Sequence, residues 1–136
     1  LNEQVEEIEF YELDDHNTIR IYSTVELIAE KIRALLQQKV RKREREQDLY
    51  DLFNVLDICS LDDEVIKRKI LTRLIEKSKA RNLSISKESF SSDEIKRRAR
   101  SGYYKLAPYV NEQLQDFDVV YEEVEEFYKS LPWEDV

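Results

Sequence analysis

Glycine and proline are nearly missing from this chain, which has one Gly and two Pro in 136 residues. A turn-rich β fold needs more left-handed and rigid turn positions than that, so helices are favoured. Cysteine is as scarce. The lone Cys59 excludes an intramolecular disulfide and fits a reducing, cytoplasmic setting. It ends an apolar helical pattern (Val55, Leu56, Ile58) and reads as packing. One Cys and one His do not make a zinc site of the usual kind. His16, in the polar run Asp14-Asp15-His16-Asn17, reads as a solvated turn residue. No apolar run approaches the ~18 residues that span a bilayer, and no signal peptide is legible, so no membrane is expected among the partners. Methionine is absent altogether. A chain that opens at Leu1 is therefore expected to be a portion of a longer protein.

Charge is what the chain has in quantity: 38% of its residues are charged, against 41% hydrophobic. At this length one domain, residues 1–136, buries roughly 65–70% of its unfolded surface. The net charge of −8 is unevenly spread. Residues 1–30 carry one basic and nine acidic side chains, residues 31–105 twenty and twelve, and residues 106–136 one and nine. A basic middle between acidic flanks suits local contact with a polyanion and restrains promiscuous binding.

Periodicity places the elements. Residues 7–12 read as a strand, and Thr18-Ile19-Arg20-Ile21-Tyr22 alternates as a second short one. Ser23 or Thr24, with Glu26, forms a capping box that opens a helix to about Gln38. A charged connector, 39–46, leads to a helix over about 44–58. Ser60 with Asp63 opens another, through about Lys79. Residues 82–91 are a Ser-rich loop, and Ser91 with Glu94 caps a short basic helix ending near Gly102. The last helix spans about 117–130, with Val120, Val124, Phe127 and Tyr128 on one face. The expected fold is mainly α with an α+β edge at the N-terminus: about five bundled helices and a short two-stranded element.

Three charges break the helical pattern. Over 24–38, Val25, Ile28, Ala29, Ile32, Leu35 and Leu36 form one apolar arc, and Glu26, Glu30, Arg33 and Gln37 lie opposite. Lys31 falls between Leu27 and Leu35, on the shoulder of the arc. Over 45–57 the stripe is Leu49, Leu52, Val55 and Leu56; Asp48 projects between Leu52 and Val55, with Asp51 at the edge. A buried ion costs several kcal/mol unless partnered, so opposite charges on adjacent inner faces suggest a shared polar site. Two structural readings compete with this one. Asp48 and Asp51 could be an N-cap and an N3 acid, and Lys31 could snorkel or bridge to Asp48.

Tyr22-Ser23-Thr24-Val25-Glu26-Leu27-Ile28-Ala29-Glu30-Lys31-Ile32-Arg33-Ala34-Leu35, followed by Asp48-Leu49-Tyr50-Asp51-Leu52-Phe53, resembles the AbiEii family of nucleotidyltransferases, toxins of type IV toxin–antitoxin systems. The resemblance is carried by residues 18–56. It implies transfer of a nucleotide from an NTP to an acceptor such as RNA, a tRNA-like one included, with magnesium. It also implies catalytic roles for Lys31 and Asp48, with Asp51 the adjoining carboxylate, and a cognate antitoxin as partner. Two features depart from the family pattern. Gln47 stands where the family has Arg before Asp48, and the Gly-Ser element followed by a metal-binding Asp-x-Asp is absent. The chain is therefore expected to be the C-terminal helical lobe of an enzyme whose N-terminal core holds the metal, with no metal ligand of its own. The alternative is a non-catalytic helical module that binds a protein or RNA. For an RNA surface the candidates are Lys96, Arg97, Arg98, Arg100 and Tyr103, with Arg43 in the connector.

Overall fold

A computed structural model of the chain describes residues 15–41, 47–58, 61–110 and 113–136. Among the described residues five α-helices follow one another: α1 (Asp15–Arg41), α2 (Asp48–Ile58), α3 (Glu64–Ala80), α4 (Asp93–Lys105) and α5 (Phe117–Lys129). Short 3-10 turns occupy Ser89–Ser91, Ala107–Tyr109 and Trp133–Asp135. Among the described residues there is no strand. The expected strand at 7–12 lies outside them, as do Cys59 and most of the 39–46 connector.

The expected strand at 18–22 is a helix instead. Ile21, Val25, Ile28, Ile32 and Leu35 follow one another at intervals of four and three, so the helical period runs upstream through the β-branched stretch. A few residues of local β-propensity yield to that longer period. Ser23 and Thr24 consequently lie inside α1, not at its cap, and His16 sits in its first turn, not in a loop.

The later boundaries follow capping chemistry. Asp63, expected three residues inside α3, is instead its cap, with Oδ1 accepting from the Val65 and Ile66 amides. Ser92, one residue after the expected Ser91, caps α4 by accepting from the Ile95 amide. Gly102 does not end α4; it is buried within it, and the helix runs on to Lys105.

α1 is the central helix and packs against α2, α3 and α4, while α5 closes the bundle against α2 and α4. Its apolar arc is buried as expected, with Ile28, Ala29, Ile32 and Leu35 fully enclosed. The opposite face is enclosed as well: Arg33, Gln37 and Gln38 are all buried. The charges there meet α3. Glu26 accepts from Arg73 and from Lys77 Nζ at 3.1 Å, and Glu30 accepts from Arg33 and Lys77.

That network should be visible in acid. Burial alone would raise the Glu26 and Glu30 pKa values, but the cations outweigh it and hold both below the usual 4.5. Carboxylates with depressed native pKa values contribute stability above about pH 4.5 and lose it as pH falls through the native values. Urea midpoints of the wild-type chain should fall on acidification from pH 5 to 3, and Glu26→Gln should flatten that fall. Equal slopes would remove Glu26 from the acid response.

A second part of the core is aromatic. Phe90, on the Ser89–Ser91 turn, packs edge-on against Tyr121 and Tyr128 with ring centroids at 5.9 and 4.6 Å. The phenols reach back to the backbone: Tyr121 donates to the Phe90 carbonyl and Tyr128 to the Ser86 carbonyl, each at 2.6 Å. These bonds fasten α5 to the Ser-rich segment before α4. Tyr128→Phe would leave a carbonyl without its buried donor, and a loss of about 1–2 kcal/mol is expected in urea unfolding.

Candidate functional site

The helix pattern of α1 sends Lys31 toward α2, because it lies one turn from Leu35 on the shoulder of the buried arc. In α2 the residues that enter the core are Leu49, Leu52 and Phe53, with Val55 and Leu56 half-buried. Asp48, at the start of that helix, is carried inward with Leu49 and Leu52. The three anomalous charges meet there. Lys31 Nζ donates to Asp48 Oδ1 at 3.0 Å and to Asp51 Oδ2 at 3.1 Å. The Asp48 side chain is 4% exposed, Lys31 22% and Asp51 39%, so the triad grades from enclosed to open.

Burial on its own would lower the Lys31 pKa. The hydrogen bonds and charges of Asp48 and Asp51 win and raise it above 10.5. Lys31 is therefore a fixed cation at neutral pH and is unsuited to act as a base. An ammonium has three N–H donors. Two are committed to the aspartates, which among the described residues leaves one for a ligand oxygen. The helix-capping reading of Asp48 does not account for this placement, whereas the structural bridge and the functional site share it.

The pair of carboxylates is a poor magnesium site. Magnesium wants several oxygens in near-octahedral order, but here the Lys31 ammonium already sits between the two acids. Among the described residues no three Asp, Glu, His or Cys come together as a metal cage. The single Asp-x-Asp string, Asp116-Phe117-Asp118, leads into α5 without a preceding Gly-Ser. Its Asp118 turns to Lys96 at 3.8 Å and Arg100 at 3.4 Å.

The matching family model is that of the nucleotidyl transferase AbiEii toxin of the type IV toxin–antitoxin system, aligned over residues 1–128. The chain belongs to this family. No curated protein and no solved structure matches it. The match extends the resemblance beyond residues 18–56 to nearly the whole chain, so the helical remainder is part of the AbiEii family pattern.

The basic helix α4 is distributed differently. Lys96 and Arg100 share Asp118 and lie over the Tyr121 and Phe117 rings at 5.6 and 5.1 Å. Arg98 pairs with Glu94 at 3.1 Å. Tyr103 is buried, its hydroxyl donating to the Gln115 carbonyl at 2.8 Å, so its ring packs in the core and does not face outward. Arg97 is exposed, as are the rings of Tyr104 and Tyr109. Arg43 lies outside the described residues. No helix among the described residues is long and apolar enough to cross a membrane.

Sequence reasoning missed the α1–α3 ion network. Its signal was present: Arg73 and Lys77 are one turn apart on α3, as Glu26 and Glu30 are on α1. Helical periodicity does not report which helices are neighbours.

Proposed function

We propose that Lys31, Asp48 and Asp51 are the contribution of this helical lobe to a composite nucleotidyl-transfer site, completed by a core that carries the metal ligands. The observation that carries this reading is the Lys31 ammonium held between two carboxylates at the α1–α2 interface, with one donor left over. In the reaction an acceptor hydroxyl oxygen attacks the α-phosphorus of an NTP. A P–O bond forms, the α–β anhydride bond breaks, and pyrophosphate leaves. A positioned cation stabilises the charge developing on the phosphate oxygens. Lys31 has that role. Asp48 holds Lys31 in place, or takes the proton from the acceptor.

The triad sums to −1 with all three groups ionised, so it does not attract a bare polyphosphate. The substrate in this reading is the NTP with its magnesium, whose charge offsets the carboxylates. The proposed acceptor is RNA, and the proposed protein partner is the cognate antitoxin that a type IV system implies.

The direct test supplies labelled NTP, magnesium and total RNA. Residues 1–136 alone are expected to transfer nothing, and the chain joined to its core is expected to label RNA. Robust transfer by residues 1–136 alone would overturn the composite site. For RNA contact the exposed Arg97 is the residue to change. Arg97→Glu should weaken RNA retention on filters and flatten its salt dependence. Unchanged retention would remove α4 from the RNA surface.

A further inference from the structure

A cavity of about 630 Å³ opens between the C-terminal end of α3, the segment 83–87 and the Trp133–Asp135 turn. Its volume lies within the range of small-molecule sites. Its chemistry is divided between an apolar and a cationic part. Ile75, Leu83, Ile85 and the half-buried Trp133 give the apolar wall. The Trp133 ring is held in place, since its Nε1–H donates to the Tyr128 carbonyl at 2.8 Å and it packs on the Tyr128 ring at 4.9 Å. Lys79 and Lys87 stand at the cavity, both exposed and neither with an ion-pair partner among the described residues. No Asp or Glu side chain lines it.

Serines and the exposed Val136 complete the lining. Ser86 is engaged, its hydroxyl accepting from the Glu88 amide at 3.3 Å. Ser78 is not: it is 1% exposed, and its hydroxyl has no hydrogen-bond partner among the described residues. A buried hydroxyl without a partner is costly and uncommon, but this one is covered, so an entering group meets Trp133 and the two lysines rather than Ser78. The neighbouring cavity, which shares Leu83 and Ser84, has Glu88 on its wall and no lysine. Of these two neighbouring cavities, the Trp133 cavity is the cationic one.

We propose that the Trp133 cavity binds a mononucleotide-sized organic anion, with a planar ring against Trp133 and a phosphate or carboxylate between Lys79 and Lys87. Aromatic stacking supplies the ring contact without demanding one base, and two ammonium groups supply the charge contact. The site is separate from the Lys31 triad and does not depend on what that triad does.

Trp133 is the only tryptophan in the chain, so its indole N–H gives a single, unambiguous resonance. Titrating the full chain with adenosine monophosphate should shift that resonance saturably. Adenosine, lacking the phosphate, should bind about tenfold more weakly, equivalent to roughly 1.4 kcal/mol. The double variant Lys79→Gln/Lys87→Gln should weaken adenosine monophosphate by a similar factor while the thermal melt stays in place, because both lysines are exposed. Three results would each overturn the proposal: no saturable shift, equal affinity for adenosine and its monophosphate, or a double variant that binds as the wild type does.

Discussion

Lys31→Ala and Asp48→Ala, made in the proposed composite enzyme, are each expected to lower nucleotide transfer by about 100- to 1,000-fold, the cost of removing one preorganised charge-stabilising group. The expectation follows from the state of Lys31. Two aspartates keep it protonated, and phosphoryl transfer relies on positioned charge more than on covalent chemistry. Loss of Asp48 frees the ammonium to reorient, so positioning fails even though the cation remains. The measurement is single-turnover incorporation of labelled nucleotide, with circular dichroism to show that the fold persists. Transfer within threefold of wild type in both variants would leave this lobe as a scaffold.

The second large effect is on stability. Lys31→Met should destabilise the chain by roughly 3–5 kcal/mol, because it leaves the enclosed Asp48 carboxylate without its cation. Asp48→Asn should cost less, about 1–3 kcal/mol, since an amide oxygen still accepts from Lys31 and Asp51 still balances its charge. The order of the two losses in urea unfolding is the informative quantity. A larger loss for Asp48→Asn would mean that the ammonium, rather than the carboxylate, is the group whose partner is indispensable.

Much of this architecture could be read before any coordinates. Helices α3 and α5 end within a residue of their expected limits, because caps and breakers fix such boundaries locally. The triad was legible for the same reason: Lys31, Asp48 and Asp51 each break a short-range apolar pattern, and opposite signs on two consecutive helices suggest a pair. What sequence could not give was long-range. The stretch 18–22 looked like a strand in a five-residue window, and only its continuity with Val25 and Ile28 reveals the helix. Glu26 and Glu30 looked like a solvated face until Arg73 and Lys77 of α3 were found against them. The acidic last helix offered partners for the basic residues of α4, but only the fold shows that Asp118 is the one beside Lys96 and Arg100. Neighbours distant in sequence decide burial and charge balance, and periodicity does not report them.

A bridge that only holds two helices together and a bridge that serves chemistry predict different outcomes when both of its members are replaced. The double variant Lys31→Met/Asp48→Leu separates them. Replacing both members with apolar groups removes the unpaired charge, so stability should return to within about 1 kcal/mol of wild type. Nucleotide transfer by the same double variant, joined to its core, is the most direct measurement. The account predicts a stable protein whose transfer remains at least about 100-fold below wild type. Transfer that recovers together with stability would contradict it and make the triad a structural bridge.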